Sequence, residues 1–460
     1  MITPRTIDFS GAARLDRRVV LLLGALLAGC TTIQKDSIAL VGGNVLTPDN
    51  RVLQDAVIIV RQGKIEQLVP REGFVIPRTA DVVDVTGRWI IPGLIDGHVH
   101  VERWALGRYL AAGVTAVRDV HGEQDSILDL REQIGRGGLA SPRIFSAGAM
   151  IDGSPATFSN ATEVANATEA RRAVDSRAVA GVDYIKIYTR ITPDLLRPLM
   201  DEAGSFNLRV TAHLGLTDAI TAARLGVSSI EHMSGVPEAA GSPDRFFAEH
   251  RASFWRGWTY FEKGWAKLDS VALNRVAVTL ANAHVAVVPT LVLHDTYSRL
   301  DDSAAINNPD VRSLPDSIIR RWDLPGMVAR AGWIAADFPS FRASRANQDL
   351  FIREFRAAGG RIIAGTDASN QLLVPGLSLH RELELLVQAG LTPVDAIATA
   401  TINPAVLLGG DSLGLIAPGR VADLVILREN PLVDIRNTRT VDRVMVRGLL
   451  YLADSLIAAQ

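Results

Sequence analysis

The sequence predicts an α/β fold: a (β/α)8 TIM barrel, with a small β-sandwich domain built jointly by the N- and C-terminal segments. Three observations lead to it. Strand-like runs alternate with helix-like stretches through the middle of the chain. β-rich segments separated by turn residues occur at both ends. Residues able to hold a metal recur just after the strand-like runs, where a barrel gathers its active site. A chain of 460 residues, 48% hydrophobic and 21% charged, has the length and composition for this architecture. Its net charge of −2 gives no electrostatic reason to expect nucleic acid, and no basic stripe occurs. The single cysteine, Cys30, excludes a disulfide framework and a thiolate metal cluster, so a metal must be held by His, Asp, Glu or Lys.

In chain order, Arg14, Arg17 and Arg18 precede an apolar run over 19–28 that ends in Leu27-Ala28-Gly29-Cys30. The run is about half of the ~20 residues a spanning helix needs, so it reads as a secretory signal. Its last four residues resemble the lipobox of bacterial lipoproteins. That resemblance implies removal of residues 1–29, lipidation of Cys30, and an exported lipoprotein in the periplasm or at the cell surface, tied to the membrane only by its lipid. Thr31 follows the cysteine, and without an acidic residue there the outer membrane is favoured over the inner. The alternative is an ordinary signal cut near Gly29.

After the signal, strands are expected at 38–41, 56–60 and 64–68, with turns at Gly42-Gly43-Asn44 and Gln62-Gly63-Lys64. Runs at 423–427 and 441–448 match them, so residues 30–91 and 411–460 are expected to form one domain. Barrel strands are expected at 89–95, 115–120, 143–147, 184–188, 209–212, 229–231, 285–292 and 361–365, within a barrel of residues 92–410. Helices are expected at 170–180, 194–203, 217–225, 271–281, 348–358 and 379–389.

The first barrel run leads into Pro92-Gly93-Leu94-Ile95-Asp96-Gly97-His98-Val99-His100. Alternate side chains of a strand share a side, so His98 and His100 form a two-nitrogen claw suited to a divalent cation. Lys186 lies in the fourth run, His213 ends the fifth, His232 the sixth and Asp367 the eighth. Each alone has an ordinary reading as a hydrogen-bonded or solvated side chain, or a helix cap for Asp367. Six such residues at the strand ends of one barrel meet at one mouth.

These stretches, with Asp183-Tyr184-Ile185-Lys186-Ile187-Tyr188, Thr211-Ala212-His213, Ile230-Glu231-His232, Gly365-Thr366-Asp367 and the later Pro418-Gly419-Arg420-Val421-Ala422-Asp423, resemble the amidohydrolase superfamily. The combination is most similar to the branch with imidazolonepropionase-like proteins and metal-dependent Xaa-Pro dipeptidases. The resemblance implies two divalent metal ions, expected as zinc, although His and carboxylate ligands suit manganese, cobalt and iron as well. It assigns His98, His100 and Asp367 to one ion and His213 and His232 to the other. Lys186, carboxylated by carbon dioxide, would bridge them, since a lysine ammonium has no acceptor and cannot itself ligate a cation. It further implies hydrolysis of an amide or other C–N bond by a metal-bridging hydroxide, with Asp367 as catalytic proton shuttle. Substrates of this type are N-acyl amino acids, Xaa-Pro-type dipeptides and cyclic amides.

Two alternatives remain open: a phosphotriesterase or lactonase using the same ions, and a non-catalytic ligand-binding surface lipoprotein. Tyr188 and Arg190 are candidates for holding a substrate carboxylate, against packing and solvation respectively. Asp119 and His121 are candidates to support the ligands. His380, with Glu382 and Glu384, is expected at the surface, while His250, His284 and His294 have no motif around them. An aromatic-rich insertion at 237–345 is expected to roof the barrel mouth or to meet a subunit neighbour in a homo-oligomer.

Overall fold

The computed structural model describes residues 35–410 and 412–458, so the signal segment and Cys30 lie outside the described residues. The two chain ends share one hydrogen-bonded network of eight strands, running Leu449–Leu452, Val441–Val446, Leu424–Leu427, Trp89–Pro92, Ser37–Leu46, Val52–Arg61 and Lys64–Pro70, with Ala80–Asp84 paired to Ser37–Leu46. Ser37–Leu46 bulges between Val41 and Val45, which lets its first half pair with Ala80–Asp84 and its second half with Trp89–Pro92. Leu40, Val45 and Ile58 thereby meet Ile90, Leu424, Ile426 and Met445 in one apolar cluster, the core of the sandwich.

The run expected at 89–95 as a single barrel strand is two strands. Trp89–Pro92 pairs antiparallel with Leu424–Leu427 in the sandwich, and Leu94–Val99 opens the barrel. The break falls at Pro92-Gly93: proline has no N–H to continue a ladder, and a Cβ at Gly93 would meet the Thr115 side chain at 2.1 Å.

The barrel strands follow at Val114–Asp119, Arg143–Ser146, Ile185–Ile187, Val210–Ala212, Ser229–Glu231 and Ala286–Val288, parallel within their two ladders. The third and fourth are joined by Asp183 N–H to Ser146 O at 2.9 Å. The eighth, around Ile362, pairs with Val287, and closure comes from Gly97 N–H to Ala364 O at 2.8 Å and Asp367 N–H to His98 O at 2.8 Å. The chain is therefore a TIM barrel joined to a β-sandwich.

The helices begin where caps place them. Asn166 accepts from Thr168 N and Glu169 N, and Gly181 in the left-handed region ends Ala167–Ala180. Asp218 caps Ala219–Leu225, so the helix expected from 217 starts two residues later. The strand expected at 285–292 stops at Val288, because Leu291–Tyr297 is helical.

The stretch 237–345 is divided by Ser270–Asn282 and Ala286–Val288, a helix and strand of the barrel itself. Two excursions result. One, after the sixth strand, holds Val236–Ala240, Pro243–Ala252 and Phe254–Gly264; the other, after the seventh, runs from Leu291–Tyr297 through Leu324–Ala331 to the turn that carries Trp333. Trp255 and Trp333 ring centroids lie 5.7 Å apart, and Trp333 Nε1–H donates to Thr259 Oγ1 at 2.8 Å, so the two excursions form one roof.

Candidate metal centre

Strand ends aim six side chains at the barrel mouth. Leu94–Val99 delivers His98, with His100 just beyond it; Ile185–Ile187 delivers Lys186; His213 and His232 follow immediately after Val210–Ala212 and Ser229–Glu231; and Asp367 lies between the bridged positions Ile362 and Ala368. All six line one cavity of about 360 Å³. His232 and Asp367 reach it through left-handed backbone, φ 58° and 63°, and Thr290, which bonds the His232 ring, is left-handed too at 46°. Such conformations cost roughly 1–3 kcal/mol each in non-glycine residues and collect at functional sites.

Asp367 is the hub. Its Oδ1 lies 3.0 Å from His100 Nε2 and 3.1 Å from His98 Nε2. Donor atoms of His98, His232 and Asp367 all lie within 4.8 Å of one another, and all three residues are buried. The tightest triad thus includes His232 rather than His100. The His213 ring sits beside it, 4.7 Å from that of His232.

The surrounding groups fix ring orientation. His98 Nδ1 meets Glu231 Oε2 at 2.5 Å, His100 Nδ1 donates to His121 O at 3.0 Å, and His232 Nδ1 pairs with Thr290 Oγ1 at 2.8 Å. In each ring the other nitrogen, Nε2, is left for the centre. Glu231 is held in turn by Arg118 Nη2 at 3.1 Å and by the Thr211 hydroxyl. Arg118 also bonds Gly97 O at 2.9 Å, tying the sixth strand to the first. Asp96 accepts from the Thr366 hydroxyl at 2.7 Å and so joins the first strand to the eighth.

Charge follows from burial. Burial pushes the His213 and His232 imidazoles well below their ordinary range, so both are neutral, the form that donates a lone pair to a metal. It also pushes the Lys186 ammonium down to about 8, against the opposing pull of Glu231. A neutral amine, the form that can add carbon dioxide, is therefore accessible near neutral pH. Burial opposes ionisation of Asp367, but the hydrogen bonds from His100 and His98 outweigh it and hold the carboxyl well below its ordinary range. Burial likewise disfavours charge on His100, and the Asp367 carboxylate reverses this, raising the imidazole. The neutral His213 and His232 imidazoles, the Nε2 atoms of His98 and His100, one low-pKa carboxylate and a deprotonatable lysine, all converging on one space, fit divalent cations.

Tyr188 lines the cavity, its ring 4.7 Å from that of His213. Arg190 does not. Its backbone N–H donates to Asp152 Oδ1 at 2.8 Å and its side chain turns to Arg251 O at 3.2 Å, so the expectation that it faces substrate is corrected. Asp119 is buried beneath the mouth, accepting from Val101 N–H at 2.9 Å and Ser146 Oγ–H at 3.0 Å, while His121 lines the cavity. His380 and Glu382 are fully buried rather than at the surface. Thr438 Oγ1 covers His380 Nδ1 at 3.0 Å, and Glu382 accepts from Val292 N–H at 2.7 Å.

The roof contributes Phe254, Trp255 and Trp258, with Leu293, Tyr297 and Met327 from the second excursion. His294, which no motif marked, stacks on Trp258 at an interplanar angle of 3° and pairs with Glu262 at 2.6 Å. Glu231 and Arg118 were also missed as supports of the centre. The one available signal for Glu231 was its place between Ile230 and His232; nothing marked Arg118.

Residues 89–450 match the Amidohydrolase family, a span that contains every residue of the centre. An imidazolonepropionase of Cereibacter sphaeroides is 26% identical over 390 residues, spanning 82% of this chain and 89% of that protein. Among solved structures, a putative prolidase from Bifidobacterium longum superposes with a TM-score of 0.68 at 24% identity, covering 92% of this chain and 98% of that one. A Xaa-Pro dipeptidase with methionine in its active site gives 0.66 at 21% identity, covering 90% of this chain and 100% of the other. These two likenesses establish the shared fold. With the family match over most of its length and the donors of a metal centre at its barrel mouth, the chain belongs to the amidohydrolase family, the metal-dependent hydrolases of carbon–nitrogen bonds.

Proposed function

We propose that the chain hydrolyses an amide bond in a small molecule with a bulky apolar flank: an N-acyl amino acid, an Xaa-Pro-type dipeptide or a cyclic amide. The observation that carries this reading is the convergence of buried His98, His232 and Asp367 donors under a roof of aromatic side chains. The imidazolonepropionase relative and the dipeptidase fold neighbours support the choice of substrate type.

In this reading His98, His100 and Asp367 would hold one divalent ion and His213 and His232 a second, with zinc the expected metal. Lys186, as a carbamate, would supply the further anionic oxygens that a neutral amine lacks. Divalent ions held there supply Lewis-acid polarisation of a carbonyl and bring the pKa of water from about 15.7 to near 7. The protein's own share is positional and protonic. Asp367 Oδ1, ionised and aimed into the cavity, takes the proton of the attacking water and returns it to the leaving nitrogen. Glu231 holds the His98 ring so that Nε2 faces Asp367. Tyr188 and the roof exclude bulk water and seat the apolar flank. The Leu27-Ala28-Gly29-Cys30 run supports lipidation at Cys30 and an exported, membrane-anchored enzyme.

The test is metal content and turnover of wild type and Lys186→Ala after incubation with zinc and bicarbonate, across N-acyl amino acids, Xaa-Pro dipeptides, lactones and phosphotriesters. The reading expects about two ions per chain in the wild type, and amide cleavage that Lys186→Ala loses along with metal. A wild type that takes up no metal sinks the reading. Turnover of lactones or phosphotriesters in preference to amides replaces it. Loss of palmitate labelling in Cys30→Ala checks the anchor.

A further inference from the structure

The second roof excursion carries a cation that the metal chemistry leaves unused. Arg330, on the helix Leu324–Ala331, lines the cavity together with Asn370 and Gln371 of the loop after the eighth strand. Lys186 lies at the floor among the histidines; Arg330 is the cation of the upper lining. Its Nη1–H donates to Asp323 Oδ2 at 3.0 Å, and among the described residues its Nε and Nη2 have no partner. Those two nitrogens form the fork that meets a carboxylate through two parallel hydrogen bonds. Asp323 and Arg330 are both more than half exposed, 60% and 58%, so their pair is weak and does not compete strongly with a ligand. Asp323 is also committed elsewhere, accepting from Gly326 N–H at 2.9 Å as the cap of the same helix.

A second polar atom of this lining is unmatched. Gln371 Oε1 is buried and accepts no hydrogen bond. A buried acceptor without a donor is unfavourable, and a turn of the half-buried Gln371 side chain toward the cavity lets a ligand N–H satisfy it. Beside Asn160 and Asn370, the cavity is walled by the apolar and aromatic side chains of Phe254, Trp255, Met327 and Tyr297.

We propose that Arg330 is the specificity-determining anchor for a carboxylate on the substrate, with Gln371 Oε1 accepting from an N–H of the same molecule. The inference rests on the amide-hydrolase reading, and it selects among its substrates those bearing a free carboxylate away from the reacting carbonyl. A single guanidinium matches a carboxylate's one negative charge. Cyclic amides without an acid group are then poor substrates.

Binding to the metal-free protein tests this apart from catalysis. Trp255 and Trp258 line the cavity, so their fluorescence reports occupancy. Wild type, Arg330→Gln and Arg330→Lys are titrated with N-acetylphenylalanine and with N-acetylphenylalaninamide. The expected result is that wild type binds the acid tighter than the amide by roughly 10- to 100-fold, the worth of a hydrogen-bonded charge pair. Arg330→Gln abolishes that preference, while Arg330→Lys keeps part of it. With zinc present, the same variants raise KM for the acid substrates with little change in kcat. Equal binding of acid and amide by wild type, no binding of either, or an undiminished preference in Arg330→Gln overturns the proposal. Failure of metal-loaded wild type to cleave any amide, with the Arg330-dependent preference intact, overturns instead the reading of the reaction.

Discussion

Two buried histidine–carboxylate pairs of nearly the same length lie within this protein, one in the barrel floor and one in the roof. His98 Nδ1 meets Glu231 at 2.5 Å, and His294 Nδ1 meets Glu262 at 2.6 Å. What differs is the second ring nitrogen. His98 Nε2 faces Asp367 in the donor cluster, whereas His294 Nε2 is buried with no partner and its ring lies flat on Trp258. Burial lowers the His294 imidazole, but Glu262 outweighs this and raises it. A His–carboxylate pair is therefore not in itself a site. It becomes one when the free nitrogen converges with other lone pairs.

The largest expected effect breaks the floor at its hub. Asp367→Asn keeps the shape but removes the proton acceptor, and kcat falls by about 10³-fold or more. Steady-state kinetics with metal content measured in parallel separates this from loss of ions. Next, Glu231→Ala strands Arg118 in the core and frees the His98 ring. Breaking a buried pair costs about 3–5 kcal/mol, and losing a ligand's orienting partner weakens metal binding by about 10- to 100-fold. Denaturant unfolding and metal titration read the two losses. A Glu231→Ala variant with wild-type metal affinity would remove the distinction drawn here between floor and roof.

The roof pair is expected to respond differently. Replacing both partners with apolar residues, Glu262→Met with His294→Leu, leaves stability within about 2 kcal/mol of wild type, since a buried ion pair returns little over well-packed side chains. Metal content stays unchanged. A last effect is confined to acid and concerns His380, whose imidazole burial, helped by Arg439, pushes down to about 3 from 6.5. The unfolded chain binds this proton between about pH 6.5 and 3 and the native state does not, so stability falls as pH drops through that window. His380→Gln should lose less stability over that range, as the slope of unfolding midpoint against pH will show.

Legibility in the sequence divided along the same line as the two pairs. The floor could be read because strand periodicity and short spacing are local: His98 and His100 two apart, Lys186 within an apolar run, His213 and His232 immediately after strands. Arg190 misled because alternation along a strand stops constraining direction once the chain enters a loop, and there Asp152 turned the backbone. His380 and Glu382 misled because polar residues on a helix ordinarily face water. Here partners from distant segments, Thr438 and Val292, cover them.

The sequence by itself determined the barrel, the partnership of the chain ends and the six side chains that meet at the barrel mouth, since each depends on the period and order of residues along the chain. Tertiary structure alone decided which supports each ligand has, that 237–345 is two excursions rather than one, and that Arg330 and Gln371 look into the cavity. The physical reason is reach. Arg118 to Glu231 and Trp255 to Trp333 are contacts across 113 and 78 positions of chain. Side-chain direction at such separations is set by packing, which has no local signature.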